Sequence, residues 1–201
     1  MTAILLIVIL VVSVILHELS HGYMADFLGD PTARLQGRLT LNPLSHIDPI
    51  GSIVVPLVTY ALGGFAFGWA KPVPYNPYNL KDKRRGEFLI ALAGPASNLL
   101  IALVFGTVLR FTAMDAGTPF ITAVSYIVIV NIILAIFNLI PLPPLDGSKI
   151  LFSFLPSQYG RFRQALESAG PVWIIVIVFF LWEFVYPLIP LVFRWFTGFG
   201  L

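Results

Sequence analysis

Two histidines and a glutamate lie in the stretch LHELSHG, residues 16–22, directly after fourteen residues, Ala3 to Leu16, with almost no polar atom. His17 and His21 are four residues apart, so on a helix they lie on one face, one turn from each other. Two imidazoles so placed can bind one Zn²⁺, and Glu18 is positioned to act on a water molecule at that metal. The motif HExxH also occurs by chance, but ionisable groups in a membrane helix are costly and rarely idle, so we predict a metal site.

Two histidines do not complete a catalytic zinc site, which usually has three protein ligands. The remaining candidates within the apolar parts of the chain are His46, Asp48, Asp146 and Glu183. Asp146 is favoured because three prolines in FNLIPLPPLDG, residues 137–147, end a helix and allow the backbone and the carboxylate to turn inward. The alternative is a helix-ending loop with a surface aspartate. Glu183, near the end of the last apolar segment, is better explained as a water-facing carboxylate.

Three further polar residues are candidates for auxiliary roles. Asn138 is the preferred side-chain donor to an oxyanion, because it is an amide in an otherwise apolar helix beside the Asp146 turn. Asn98 is the second choice, and for Asn98 an interhelical hydrogen bond is the better explanation. For His46 two roles stay open, namely polarising the oxyanion or access to the site, and a structural hydrogen bond with Asp48.

The composition places these residues in a membrane protein. Of 201 residues, 58% are hydrophobic and 11% are charged, and the mean hydropathy is +0.89. A soluble domain with so few charges could not cover its surface. The net charge is only +2, and no basic cluster is interleaved with aromatic residues, so no nucleic-acid partner is expected. The absence of cysteine excludes thiolate catalysis and cysteine-based metal sites.

Four segments are long enough to cross a bilayer, which takes about 20 helical residues: 2–27, 87–111, 119–140 and 171–196. A fifth apolar stretch, 49–68, is interrupted by Pro56 and three glycines, which favours a re-entrant segment. The alternating stretch ARLQGRLTLNP, 33–43, predicts a short strand. The proline-punctuated stretch 68–80 predicts extended chain. We therefore expect one all-α polytopic domain over 1–201, with about four transmembrane helices, a re-entrant segment and a small membrane-associated β element.

The distribution of positive charge favours four spans. If 49–68 returns to the side on which it began, ten of the twelve lysines and arginines share one face, and only Arg110 and Arg194 lie on the other. If 49–68 crosses fully, the best division is eight against four. The positive-inside rule therefore predicts four spans, both termini outside and the basic face in the cytoplasm.

The depths of the polar motifs agree with this topology. Four spans bring His17, Asp146 and the motif AGPASN, residues 93–98, to the same side of the membrane, whereas five spans separate His17 from Asp146. The small residues of AGPASN predict close packing against the helix of the histidines. We therefore expect a multi-pass protein of the cell membrane with its active site toward the cytoplasmic side.

The motifs HELSH, AGPASN and NLIPLPPLDG, in this order, resemble the site-2 protease family, the intramembrane zinc metalloproteases of peptidase family M50. NPLSHIDPIGS and GWAKPVPYNP also resemble a compact prokaryotic branch, without the PDZ or CBS segments of larger relatives. The resemblance implies one Zn²⁺ per chain on His17, His21 and Asp146, with Glu18 as catalytic acid and base. It also implies transmembrane protein substrates, cut within or near their membrane segments.

A helical substrate must be drawn out locally before it is cut, and an edge strand of the enzyme could bind it by β-addition. The segments 33–43 and 69–75 are the candidates for that strand. Two other functions use the same residues, namely a zinc transporter or sensor and a non-proteolytic scaffold that binds transmembrane helices. A transporter should carry polar ligands at successive depths, and a scaffold should lack the glutamate or a ligand. The sequence favours the protease.

Overall fold

The computed structural model describes residues 2–63, 68–111, 119–155 and 185–200, together with Gly160, residues 164–166 and Glu183. These residues form helices and connecting segments, and no β-strand occurs among them. The α-helices are α1 (Thr2–Phe27), α2 (Thr32–Leu35), α3 (Val55–Gly63), α4 (Lys83–Phe111), α5 (Pro119–Asn138), α6 (Asp146–Phe154) and α7 (Leu188–Thr197). A π-helical turn, Pro49–Val54, precedes α3, and 3₁₀ turns occur at Pro43–His46 and Pro77–Asn79.

Three helices are long and apolar enough to cross a membrane: Ala3–Phe27 in α1, Lys83–Phe111 and Pro119–Asn138. They correspond to the first three predicted spans, which are confirmed as apolar helices of spanning length. The predicted span 171–196 falls largely on residues outside the described part of the chain. Its last part forms α7, which with ten residues is too short to cross a bilayer alone.

One stripe of α1 faces the other two long helices. Its members are buried at every fourth position: Ile9, Ser13, His17, His21 and Ala25. Residues four apart lie on one side of a helix, so the stripe continues along most of α1 and packs against α4 and α5. The opposite side exposes large aliphatic side chains such as Ile4, Ile7 and Val8, which suit contact with lipid. The histidines thus lie on the protein-facing side of a helix whose other side is hydrocarbon.

The main hydrophobic core joins α4, α5 and α7, and it includes Ala102, Val128, Ile132 and Phe193. The end of α7 packs tightly on α4, since a Cβ at Gly106 would lie 2.8 Å from the Cβ of Phe196. Gly106 is twelve residues beyond Gly94, which is about 18 Å along a helix. The C-terminal end of α7 therefore lies far along α4 from the histidines, which Gly94 contacts.

The stretch 49–68 returns to the place where it began. The N–H of Trp69 donates to the carbonyl of Gly51 at 3.0 Å, and the hydroxyl of Ser52 donates to the carbonyl of Trp69 at 2.9 Å. A segment that crossed a bilayer would have its two ends about 30 Å apart. The contact between its ends is therefore the geometry that a re-entrant segment requires.

The predicted strand over 33–43 is wrong. The chain instead forms the one-turn helix α2, Thr32–Leu35, after Pro31, and Gly37, whose φ is +64°, follows the C-cap residue Gln36. The N–H of Arg38 reaches back to the carbonyl of Ala33 at 2.9 Å, which is the closing bond of a glycine-terminated helix. Proline before the turn and glycine after it outweigh the alternation of apolar and polar side chains.

Residues 68–76, which we call the strap, have no regular secondary structure, as predicted for 68–80, whereas the last part of that range forms the 3₁₀ turn Pro77–Asn79. The strap is fastened along its length. The N–H of Lys71 donates to the carbonyl of His46 at 2.9 Å, and Arg38 donates to the carbonyls of Lys71 and Pro72. The side chain of Val73 lies against Gly22 of α1, where a Cβ would be 2.8 Å from Val73 Cγ1. The strap therefore crosses α1 next to the HELSH turn.

Asp30, just after α1, anchors the far end of the strap. Its carboxylate is fully buried and accepts hydrogen bonds from the N–H of Asn76 at 2.6 Å, the amide of Asn79 at 2.7 Å and the hydroxyl of Thr32 at 2.5 Å. Burial would raise the pKa of Asp30, but these hydrogen bonds favour the charged form and together hold the pKa below its ordinary value.

Asp30→Asn should therefore destabilise the protein in a pH-dependent way. The amide nitrogen would replace one carboxylate oxygen and so place a donor opposite either the N–H of Asn76 or the amide of Asn79, at a cost of about 1–3 kcal/mol. A carboxylate whose folded pKa is lowered contributes stability that is complete above its unfolded pKa, near 4, and is lost as pH falls through the folded value. Thermal denaturation in detergent should show a lower midpoint for the variant at pH 7, and the gap should narrow below about pH 4.

Asp26→Asn is the matched control. Asp26 pairs with Arg34 at 3.3 Å, and the arginine side chain is 65% exposed. Exposed ion pairs contribute roughly 0–1 kcal/mol, so the control should change the midpoint little. An equal loss in both variants, or a gap for Asp30→Asn that does not vary with pH, would contradict the role assigned to Asp30.

Candidate metal centre

Three potential metal ligands meet on the inner side of α1. His17 Nε2 and His21 Nε2 each lie 3.1 Å from Asp146 Oδ2, and the two Nε2 atoms are 3.0 Å apart. All three residues are buried. They form a group whose ligand atoms could hold one metal ion. The structure thus brings together the residues that the spacing and the resemblance single out.

Local sequence places each ligand. The histidines are successive members of the buried stripe of α1. Asp146 is the first residue of α6, which begins after α5 has ended at Asn138, ahead of the first proline of the loop. Gly147 allows this return, because a Cβ there would lie 2.3 Å from the carbonyl oxygen of Leu139. The DG pair therefore combines a ligand with the residue that lets its backbone pack against the end of α5.

Hydrogen bonds on the far side of each imidazole determine its tautomer. His21 Nδ1 lies 2.6 Å from the carbonyl oxygen of Ile90, which can only accept, so Nδ1 carries the proton. His17 Nδ1 lies 2.6 Å from Asn98 Oδ1 and donates likewise. In the neutral form of each imidazole, Nε2 is then an unprotonated lone pair directed at the carboxylate. Metal-binding histidines are usually held in this way.

The donor set fits a zinc ion. Two imidazole lone pairs and one carboxylate oxygen repel one another at 3.0–3.1 Å, and a cation between them would turn that repulsion into attraction. Ligands at about 2.0–2.1 Å from a tetrahedral Zn²⁺ are about 3.3 Å apart, so only a few tenths of an ångström separate this arrangement from a coordinated one. His₂Asp leaves the fourth position open, as in catalytic zinc sites.

The second oxygen of Asp146 faces a cation. Lys149 Nζ lies 3.6 Å from Asp146 Oδ1, one turn along α6, and 5.9 Å from the centre of the Tyr75 ring in the strap. The ammonium group holds Oδ1 away from the histidines, so that Oδ2 alone is directed at them. Sequence analysis missed Lys149, although its position three residues after Asp146 on a helix places both on one face.

Glu18 faces the strap. Its Oε2 accepts a hydrogen bond from the N–H of Val73 at 2.8 Å, and Glu18 lies three residues before His21 on α1. Glu18 is half-buried and is not a member of the ligand group. This position, beside the ligands without being one of them, is the position that an acid/base residue needs.

Asn98 and Asn138, the two candidates for an oxyanion donor, make different kinds of hydrogen bonds. Asn98 is fully buried and hydrogen-bonds across helices to His17 and, at 2.8 Å, to Asn131, as the interhelical alternative predicts. The amide nitrogen of Asn138 donates to the carbonyl of Leu134 in its own helix at 2.9 Å. The side chain of Asn138 is therefore directed back along α5 in this structure, and its role as an oxyanion donor stays a prediction.

His46 and Glu183 are not members of the ligand group. The Nε2–H of His46 donates to the carbonyl of Thr40 at 2.8 Å. Asp48 instead accepts hydrogen bonds from the N–H groups of Ile50 and Gly51 and so caps the π-helical turn Pro49–Val54. His46 thus has a hydrogen-bond partner other than the predicted Asp48, and a role at the site stays a prediction. Glu183 is exposed, as predicted.

Asn131 is a second residue that sequence analysis missed. It is fully buried on α5 and contacts Asn98 and Ser13. The sequence contains two indications of this contact. A polar side chain in an apolar span usually has a function or a polar partner, and Ser13 lies four residues before His17, on the same face of α1. Neither Asn131 nor Ser13 belongs to a motif, so their contact could be recognised only from the packing of three helices in the structure.

Comparison with known proteins identifies the same chemistry. The family model described as Peptidase family M50 matches residues 5–118 and 111–182. The chain is 39% identical to "Putative zinc metalloprotease YwhC" of Bacillus subtilis over 179 residues, which are 86% of this chain and 78% of that protein.

Two longer relatives match a similar part of the chain. "Putative zinc metalloprotease Rip2" of Mycolicibacterium smegmatis is 30% identical over 83% of this chain and 63% of its own length. "Zinc metalloprotease MJ0392" of Methanocaldococcus jannaschii is 29% identical over 82% of this chain and 38% of its own length. The chain thus spans less than two thirds of these two relatives. No solved structure gives a significant match.

Gly94→Ala should destroy the centre. A Cβ at Gly94 would lie 2.4 Å from His21 Nε2 and 2.6 Å from His17 Cε1, so a methyl group would displace both imidazoles. The close packing predicted for AGPASN thus rests on this glycine. Elemental analysis of the purified variant should show loss of bound zinc. Gly106→Ala, a similarly crowded position on the same helix, should lower stability and retain zinc. Full zinc occupancy in Gly94→Ala would show that the ligands lie elsewhere.

Proposed function

The chain belongs to peptidase family M50, the site-2 protease family, and we propose that it is an intramembrane endopeptidase. It is a zinc metalloendopeptidase by family, and the proposed substrates are membrane proteins, hydrolysed within or near their transmembrane segments. We further propose that residues 1–201 form one catalytic domain.

The depth of the ligand group is the observation that carries this proposal. His17 and His21 lie inside the apolar helix Ala3–Phe27, on the side that packs against α4 and α5. The outer side of that helix is aliphatic and exposed. A substrate that reaches ligands in such a place has its scissile bond in the membrane or close to its surface.

The chemistry of the site follows from the residues around the ligands. A zinc ion on His17, His21 and Asp146 would lower the pKa of a water molecule to about 7. Glu18 would accept a proton from that water as its oxygen attacks the carbonyl carbon of the peptide, and would then donate the proton to the departing amine. The N–H of Val73 restrains the carboxylate of Glu18 for both steps.

The strap is the remaining candidate for binding a substrate strand, since 33–43 forms no strand. Four of its N–H groups have partners within the protein: Trp69 with Gly51, Lys71 with His46, Val73 with Glu18 and Asn76 with Asp30. Pro72 and Pro74 have no N–H. An added strand would therefore find few N–H donors on the strap, and the carbonyls of Trp69, Lys71 and Pro72 already accept hydrogen bonds from Ser52 and Arg38.

The two competing functions fit less well. A transporter needs ligands at successive depths, and among the described residues the His17, His21 and Asp146 group is the single cluster that could hold a metal. A non-proteolytic scaffold has no use for Glu18 held beside an intact ligand set. The protease accounts for both features.

We also propose the topology of four spans with the metal centre toward the cytoplasm. It is supported by the meeting of Gly51 with Trp69, by the basic residues that share the face of Lys83, and by the position of α7, whose end lies about 18 Å along α4 from Gly94. The start of α1 and the end of α7 then lie on the outer side.

Glu18→Gln should abolish cleavage and spare the metal. In liposomes with a single-span model substrate, cleavage should fall by about 10²- to 10⁴-fold, whereas zinc should stay near one ion per chain, because glutamine removes the acid/base group and no ligand. Asp146→Ala should lose both zinc and activity, and a chelator should stop the native protein. Loss of zinc from Glu18→Gln, or full zinc in Asp146→Ala, would mean that the roles are misassigned.

Single cysteines test the topology in a chain that has none of its own. Cysteines replacing Gln36 and Asp82, which flank the re-entrant stretch, should both react with an impermeant thiol reagent from the cytoplasmic side. One replacing Gly117, in the connection between α4 and α5, should react from outside. Labelling of the Gln36 and Asp82 positions from opposite sides would make 49–68 a true span and contradict the four-span topology.

A further inference from the structure

We propose that Asn131 is a positioning residue of the metal centre, which sets the orientation of the Asn98 amide and thereby keeps His17 Nε2 available as a ligand. The inference rests on the proposed zinc site, and it assigns a role to a residue of α5 that touches neither metal ligand nor substrate.

A line of four polar side chains connects α5 to the ligand. Asn131 Nδ2 donates to the hydroxyl of Ser13 at 2.9 Å and to the carbonyl of Ile127 at 2.9 Å. Asn98 Nδ2 donates to Asn131 Oδ1 at 2.8 Å, and His17 Nδ1 donates to Asn98 Oδ1 at 2.6 Å. Asn98 and Asn131 are fully buried, so no water competes for these bonds.

The direction of every bond follows from one backbone carbonyl. The oxygen of Ile127 can only accept, so the atom of Asn131 beside it must be the amide nitrogen. Asn131 Oδ1 then faces Asn98 and accepts from its amide nitrogen. Asn98 Oδ1 is thereby turned to His17, whose Nδ1 must carry the proton. The carbonyl of Ile127 in α5 thus determines, through the two amides, which nitrogen of the His17 imidazole carries the proton.

Asn98 cannot maintain this orientation alone. An amide has nearly the same shape when it is turned over, and turned over it would offer His17 a donor in place of an acceptor. His17 Nδ1 would then accept, its proton would lie on Nε2, and the lone pair directed at Asp146 would be lost. Removing Asn131 removes the acceptor that distinguishes the two orientations.

Zinc affinity is the property that this role predicts. Asn131→Leu keeps the branched shape and removes the acceptor, and Asn131→Ala removes both. Changes to the partners of metal ligands typically weaken metal binding 10–100-fold, and we expect a weakening in this range for both variants, measured on the full chain in detergent by competition with a chromophoric chelator. Ser13→Ala should change affinity less than threefold, because Ile127 still orients Asn131.

A packing control separates orientation from stability. Val128 is fully buried on α5, one turn from Asn131, and belongs to the main core. Val128→Ala should lower the denaturation midpoint and leave zinc affinity unchanged. Weakening of zinc binding in proportion to lost stability across Val128→Ala and the Asn131 variants would show that Asn131 only holds the helices together.

The decisive measurement repeats the change in a background of Asn98→Asp. A carboxylate has an acceptor at both oxygens, so an aspartate at this position needs no partner to orient it toward His17 Nδ1. Asn131→Leu should then leave zinc affinity unchanged within about threefold. An equal loss with and without the Asn98→Asp change would overturn the proposal, as would an unchanged affinity in the native background. Failure of both Asn131 variants to fold would overturn it too, since orientation alone is assigned to Asn131.

The outcomes also distinguish this proposal from the proposed function. If the native protein binds no zinc, the metal centre itself is refuted, together with everything that rests on it. If the native protein binds zinc and cleaves its substrate while the Asn131 variants keep full affinity, only the positioning role fails.

Discussion

Three lone pairs within about 3 Å of one another, in a place lined by hydrocarbon, are the constraint on which the structure depends. With both imidazoles neutral, each Nε2 and the carboxylate oxygen of Asp146 repel the others unless a cation lies between them. Each imidazole and the carboxylate must therefore be held in place by contacts on the side that faces away from the other two ligands. The buried residues Asn98, Asn131 and Ser13 serve this purpose for His17, and the crowding at Gly94 places both imidazoles against α4.

The ligand group could be predicted from the sequence because its parts are local. The spacing of His17 and His21 is a property of one helix, and the prolines before Asp146 indicate that α5 ends ahead of them. What could not be predicted depends on packing between helices. Asn98 is one polar residue in an apolar span, and only the approach of α1 and α5 makes it a link between His17 and Asn131. The failed strand at 33–43 has a local cause, since its alternation was given more weight than Pro31 and Gly37.

The strap shows how a segment without secondary structure can be well defined. Its prolines exclude helix, and its N–H groups find partners in four separate places: Gly51, His46, Glu18 and Asp30. Backbone N–H groups that are buried or half-buried need hydrogen-bond partners. A segment that does not pair with a neighbouring strand must therefore find a separate partner for each N–H group. One of these partners is the proposed acid/base residue, which ties the position of the strap to the chemistry of the site.

The three ligands differ in how securely their outer contacts fix them, and this difference explains why only one of them needs a further residue. His21 is held by the carbonyl of Ile90, which cannot become a donor. Asp146 is held by the ammonium group of Lys149, which cannot become an acceptor. His17 is held by an amide, which can be either, according to which way it faces. The amide of Asn98 therefore needs a partner whose hydrogen-bonding role is fixed. The carbonyl of Ile127 in α5 can only accept, and it orients Asn98 through Asn131.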